Sequence, residues 1–260
     1  MSAIVAKTGK RAGASLRLGG SLVALLIGAA ALSLLWTPYA PDAIDVPHKL
    51  LEPSFAHWLG ADALGRDVAS QILAGAQVSI LVGLIAVGIG LLFGVALGLL
   101  AATAKGVVED AIMKLCDFTF AFPALLSAIM LTATYGPGVV NAIIAIGIYN
   151  VPIFAKLTRA TANGVLAREF VLAARAAGRG PIAIALDHVL PNVAPALIVQ
   201  ATIQFAVAIL AEAALSYLGL GAQPPQASWG RMLSDAQNWM YVAPRLAVFP
   251  GLAVALSVLG

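Results

Sequence analysis

Charge is the scarcest property of this sequence. Asp, Glu, Lys and Arg make up only 10% of its 260 residues, against 61% hydrophobic residues and a mean hydropathy of +0.95. So little charge excludes a water-soluble or disordered chain, because apolar surface on this scale has to be buried in lipid or protein. Cysteine occurs once, at Cys116, so no intramolecular disulfide is available and the thiol reads as a small packed apolar group. The three histidines, His48, His57 and His188, are dispersed and outline no metal site. No G-x-x-x-x-G-K-[ST] pattern occurs, and the one Lys-Thr pair, Lys7-Thr8, has no glycine loop before it, so this chain is not expected to hydrolyse ATP. No catalytic, metal-ligating or cofactor-binding constellation emerges, and a net charge of +3 is too small to suggest nucleic acid.

What fills the chain instead is a succession of long apolar runs separated by short polar ones. In a hydrocarbon core about 30 Å thick the backbone must satisfy its own hydrogen bonds, and runs of about 20 apolar residues fit helices rather than a barrel. The expected fold is all-α, a polytopic membrane bundle of six transmembrane helices. The first run, LGGSLVALLIGAAALSLLW (residues 18–36), follows a tail (residues 1–17) carrying Lys7, Lys10, Arg11 and Arg17. It exceeds the ~7–15 residue core of a secretory signal and ends in Trp36, Pro38 and Tyr39 rather than a small-x-small site. It therefore reads as an uncleaved first span with an interfacial aromatic anchor.

Residues 37–71 are polar, and residues 72–104 are then free of charge. At 1.5 Å per residue that run is longer than one crossing needs, so part of it is expected to tilt or to lie outside the membrane. Gly90, Gly94 and Gly98 recur in it at every fourth position, a ridge along which another helix can approach closely; the plainer reading is glycine's general frequency in membrane helices. A third span is expected over residues 118–134, starting as a helix near Val107 and kinked at Pro123, before a tight turn at YGPG (residues 135–138). A fourth covers 139–155 and a fifth 189–215. A sixth begins near Leu246, and its run to Gly260 is short for a crossing. The tail carries four Lys and Arg, the 105–117 connection two and the 156–188 connection five, which leaves four for the other side. The positive-inside rule then places the N-terminus and the 156–188 loop in the cytoplasm, and residues 37–71 and 216–245 outside.

The 156–188 loop carries seven charges. Each would cost ~2.5–3.5 kcal/mol at the bilayer centre, roughly 15 kcal/mol or more in sum, so the segment is excluded from the membrane. Within it Leu166, Phe170, Ala173, Ala174 and Ala177 fall at helical spacing, while Arg168, Glu169, Arg175 and Arg179 point elsewhere; Gly178 and Gly180-Pro181 stop the helix. An alanine face buries little area of its own and suits a groove on another protein. An amphipathic helix lying on lipid headgroups fits the same pattern.

LAARAAG (residues 172–178), followed after nine residues by HVLP (residues 188–191), resembles the cytoplasmic loop signature of ABC importer permeases. That signature is Glu-Ala-Ala, three residues, Gly, nine residues, an apolar residue, any residue and Leu-Pro. Ala173, Ala174, Gly178, Leu190 and Pro191 match in register. His188 stands at the apolar position, as in the dipeptide and oligopeptide branch, and Leu172 replaces the glutamate, with Glu169 one turn earlier. HWLGADALGRDVASQILAGAQVSILVG (residues 57–83) and EAALSYLGLGAQPPQASWGRMLSDA (residues 212–236) resemble the second, C-type permease subunit of peptide and nickel importers. Glu212-Ala213-Ala214 repeats the motif's letters without its glycine or Leu-Pro, and is not the coupling loop.

The resemblance implies a type I ABC importer permease fold over residues 72–260 and half of a translocation path for dipeptides or oligopeptides. It implies a second homologous permease subunit, two ATP-binding subunits that use ATP and Mg, and an extracytoplasmic substrate-binding protein. The helix around Arg168 to Gly178 would transmit the ATPase movement to the spans. A nickel or other small-solute importer is the alternative within the family. An ion-coupled carrier is the alternative outside it, though such carriers place ionisable groups near mid-membrane and often show repeated halves, neither of which is seen. Gln200 and Gln204, one turn apart, and Glu212 farther along the same helix are candidate path residues. Interhelical hydrogen bonding is the other reading of the glutamines, and Glu212, near the aqueous edge, also reads as a solvated group. Residues 37–71 and 216–245 look like ordered caps suited to docking the binding protein; interfacial anchoring is the plainer account of Trp58, Trp229 and Trp239.

Overall fold

The computed structural model describes the backbone of residues 2–122 and 124–260, with side chains from Arg17 onward except that of Ala124. Among these residues the architecture is helical: α1 (Ser2–Leu35), α2 (Val68–Ala104), α3 (Gly106–Ala121), α4 (Ala124–Tyr135), α5 (Val139–Leu166), α6 (Glu169–Ala176), α7 (Pro181–Ile184), α8 (Leu190–Tyr217), α9 (Trp229–Ala236) and α10 (Arg245–Leu259). Among the described residues extended pairing is limited to one bridge between Ala61 and Asp67. Four helical runs among the described residues are long and apolar enough to cross a membrane: Arg17–Leu35, Val68–Ala104, Val139–Leu166 and Pro181–Tyr217. The last joins α7 and α8 through a π turn at Ala185–Val189. Helices α3 and α4, inclined at 82°, would together make a fifth span, and α10 is apolar but only 15 residues long. The expected six spans are therefore four or five full-length ones and a short helix. The kink expected at Pro123 lies outside the described residues.

The chain divides into two compact units, Met1–Val82 with Pro137–Val139 and Ile209–Gly260, and Gly83–Gly136 with Val140–Ala208. In the second, α2 and α5 meet along the glycine ridge. A Cβ at Gly90 would lie 2.5 Å from Asn150 Cβ, at Gly94 2.5 Å from the Val151 carbonyl oxygen, and at Gly98 2.6 Å from that of Ala155. Here glycine is required by close backbone approach, not by turn geometry. Phe154 fills the contact and is fully buried with Val87, Leu99, Ala162, Val165 and Leu166.

Helix α5 outlasts its apolar run. Expected to end near Ala155, it continues to Leu166, so Lys156 and Arg159 stand on a helix and not in a loop. Acidic partners on α3 make this possible: Lys156 Nζ reaches Asp117 Oδ1 at 2.5 Å, and Arg159 Nε reaches Glu109 Oε1 at 2.5 Å. Lys156 also sits 4.5 Å from the centre of the Phe120 ring, a cation–π contact.

In the first unit, the two polar stretches, residues 37–71 and 216–245, form one cross-linked cap. Arg66 Nε donates to Asp62 Oδ2 at 2.6 Å and its Nη2 to Asp235 Oδ2 at 3.2 Å, while Arg231 Nε donates to Asp235 Oδ1 at 3.0 Å. Arg245 Nη2 caps the Leu50 and Leu51 carbonyls at 2.8 and 3.1 Å. Asp67, buried at the head of α2, accepts from Ser70 N and Oγ and meets His57 Nδ1 at 2.9 Å, with Tyr39 stacked on the imidazole. Trp229 is buried, and its indole donates to the Ile72 carbonyl at 2.9 Å. That corrects the interfacial reading for this tryptophan: Trp229 is a core residue. Arg66→Gln is expected to cost about 1–2 kcal/mol by removing the part-buried guanidinium that joins Asp62 to Asp235, which leaves Asp62 its bonds from Gln71 Nε2 and the Leu64 and Arg66 N–H groups, read as a lowered thermal midpoint in detergent.

Candidate coupling helix and buried polar residues

The short helix α6 begins where α5 breaks. Arg168 adopts an extended backbone, φ −79° and ψ 150°, as its N-cap, with Glu169 in the first turn and Arg175 in the last, the favourable order for a helix dipole. The far end closes in a Schellman arrangement. The Arg179 N–H donates to the Ala174 carbonyl at 3.1 Å and the Gly178 N–H to that of Arg175 at 3.0 Å, with Gly178 at φ +79°. This left-handed conformation is one that glycine adopts without a Cβ penalty. Pro181 then opens α7 behind Gly180. Pro191, which has no N–H to donate, follows the π turn at Ala185–Val189, and Asn192 Nδ2 donates to the His188 carbonyl at 2.7 Å.

The break between α5 and α6 shifts the helical phase, which corrects the expected face. Leu166 is buried at the end of α5, whereas Phe170, Ala173 and Ala177 are exposed on α6 and Ala174 is half-buried. The seat of α6 is Val171, fully buried against Ile184, Val189 and Val193, with Ala174 beside it. Turned outward are Phe170 at 41% and Leu172 at 52% exposure, continued by Ile182 and Leu186. His188 is half-buried and meets the edge of Phe170 with centroids 6.2 Å apart, and Arg179 pairs with Asp187 at 2.5 Å. Leu190 is half-buried and Pro191 exposed. A small rigid rod, rooted by one valine and rimmed by Arg168, Arg175 and Arg179, thus presents apolar and alanine surface to its surroundings.

Sequence reasoning did not anticipate the burial pattern of the polar residues on α8. Gln200 and Gln204 lie in the second unit, half-buried and buried, and Glu212 in the first. Neither glutamine makes a side-chain hydrogen bond among the described residues. Glu212, read above as a solvated group, is at 0% exposure. Its Oε1 accepts from Ser216 Oγ at 2.6 Å, and that hydroxyl accepts from the Ala222 N–H at 2.9 Å. The turn leaving α8 closes over the carboxyl group, and Ser216 at i+4 was the signal in the sequence. Among the described residues no three His, Cys, Asp or Glu side chains gather as a metal site.

Residues 94–260 match the family described as binding-protein-dependent transport system inner membrane component. The chain is 39% identical over 241 residues to a glutathione transport system permease protein, GsiD, of Pectobacterium atrosepticum, covering 92% of this chain and 80% of that one. It is 44% identical over 249 residues to a di/tripeptide transport system permease protein, DppC, of Pseudomonas aeruginosa, covering 93% and 82%. In fold it is similar to a chain of the MetNI methionine ABC transporter in an inward-facing conformation, with a TM-score of 0.58 at 17% identity, covering 72% of this chain and 91% of that one. It is likewise similar to a chain of an amino acid ABC transporter crystallised with histidines, with a TM-score of 0.56 at 16% identity, covering 73% and 88%.

Proposed function

The chain belongs to the family of binding-protein-dependent transport system inner membrane components, and from that premise we propose that it is one permease half of an ABC importer for short peptides. The observation that carries the reading is α6: a rod rooted by Val171, closed by Gly178 and otherwise exposed, followed in register by Leu190 and Pro191. Similarity to glutathione and di/tripeptide permeases supports the substrate class. In this reading a second, homologous permease subunit completes the path. Two ATP-binding subunits bind ATP and Mg and grip α6, and a binding protein delivers peptide to the cap formed by residues 37–71 and 216–245. The Lys and Arg distribution supports a cytoplasmic N-terminus and a cytoplasmic α6. This chain itself performs no chemistry: a gripped rod moves as one body and passes the closure of the ATPases to the spans.

Reconstitution of the four membrane-associated subunits with the binding protein tests this. ATP-driven accumulation of a dipeptide, with ATP hydrolysis stimulated by the loaded binding protein, is expected; a complete, assembled system that moves no peptide overturns the reading. Gln200, half-buried and polar within an apolar helix, is proposed to face the path, with the buried Gln204 one turn behind it. Gln200→Leu with Gln204→Leu is expected to lower uptake about tenfold, the scale of one or two lost hydrogen bonds, with ATPase association unchanged. Normal uptake by that double variant removes both residues from the path.

A further inference from the structure

The cap of the first unit encloses a cavity of about 560 Å³ that the coupling surface does not use. That size is within the ~300–1,000 Å³ of small-molecule sites. Its wall carries both signs of charge. Three of the groups, Asp62, Arg66 and Asp235, are engaged with one another. Two have capacity to spare: Asp42, exposed on the wall, makes no ion pair or hydrogen bond among the described residues, and Arg231 commits only its Nε, to Asp235, leaving the Nη edge of its guanidinium open. The lining also includes the apolar residues Val68, Met232 and Trp239. An uncommitted carboxylate and an uncommitted guanidinium edge lining one cavity together with apolar side chains are complementary to a small ligand carrying an ammonium, a carboxylate and an apolar body.

We propose that this cavity is a reception site for short zwitterionic peptides, with the α-ammonium on Asp42 and the α-carboxylate on the Arg231 guanidinium. The inference rests on the peptide-importer reading and deepens it, by giving the chain a binding site within its cap. Because the ligand's two ends are read by different residues, each end can be removed separately.

The test is equilibrium binding of radiolabelled alanyl-phenylalanine, its N-acetyl form and its C-terminal amide to the assembled permease–ATPase complex in nanodiscs, without binding protein. Asp42→Asn is expected to weaken the free dipeptide about tenfold and leave the N-acetyl form unchanged; Arg231→Gln is expected to weaken the free dipeptide by a similar factor and leave the amide unchanged. Binding of all three forms unaffected by either variant, or weakened equally, overturns the proposal. ATP-driven uptake of the same dipeptide by the wild-type system is measured alongside. Its absence defeats the importer reading itself, whereas uptake with variant-insensitive binding defeats only the site.

Discussion

Ala173→Trp is expected to leave the subunit folded and membrane-inserted while reducing ATP-driven uptake by about tenfold or more. Ala173 is exposed on α6, and the residues that root the helix are Val171 and the half-buried Ala174. Surface changes away from a packed seat typically alter stability by no more than about 0.5 kcal/mol, so the thermal midpoint should barely move. In the proposed coupling contact the penalty falls on the groove that receives the rod. An indole forced into a groove shaped for a methyl group overpacks the contact by about 1–3 kcal/mol, which corresponds to roughly a 5- to 150-fold loss of engagement. Two readouts separate coupling from folding: co-purification of the ATP-binding subunits, expected to fall, and the detergent melting curve, expected to stay. Full uptake with normal co-purification would remove α6 from the coupling contact. An unaltered partner association would also revive the view of α6 as a helix resting on lipid headgroups.

Some of this was legible in the residues and some was not, and the division follows the range of the interactions. The end of α6 is a local matter. Gly178, with Gly180-Pro181 behind it, announces a left-handed cap and a new helix start, and the hydrogen bonds of Ala174, Arg175 and Arg179 follow from that alone. The helix period of the α2 glycines is also local, since three positions four apart must share a face whatever stands opposite. The outward surface of α6 was misjudged because the face was extended backward to Leu166 as though the helix were continuous. The break at Ala167 and Arg168 rotates the phase, and no propensity in "VLAREF" marks it strongly.

The larger omissions are nonlocal. A count of charges treats Lys156 and Arg159 as the end of a span, yet each finds a carboxylate on α3, 39 and 50 residues away in sequence, and three further turns of α5 follow. Arg66 and Asp235, 169 residues apart, tie the two polar stretches into one cap, and nothing near either residue reveals the partner. Glu212 is intermediate. Its partner Ser216 is one turn away, but the burial that makes the pair matter comes from the turn at Ala222 folding back over it.

Gly94→Leu is expected to destabilise the second unit by about 3 kcal/mol or more, the upper range for forcing volume into a packed contact. A Cβ at Gly94 would lie 2.5 Å from the Val151 carbonyl oxygen, 2.6 Å from Phe154 Cβ and 3.1 Å from the Ala155 nitrogen. Two of these three are backbone atoms, so no rotamer change on the neighbour relieves the overlap and α5 itself has to move. It is held against moving by Phe154 in the core and by the ion pairs of Lys156 and Arg159 with α3. Gly88→Leu on the same helix is the control, because nothing lies within 4 Å of a Cβ there and the site is exposed. Replacing that glycine gains up to about 1 kcal/mol of helix propensity. Thermal unfolding in detergent and the amount of full-length protein accumulating in membranes should fall sharply for Gly94→Leu, fall measurably for Gly94→Ala, and hold or rise for Gly88→Leu. If Gly94→Ala melted with the wild type, α2 and α5 would not be packed backbone to backbone, and the glycine spacing would be no more than membrane-helix composition.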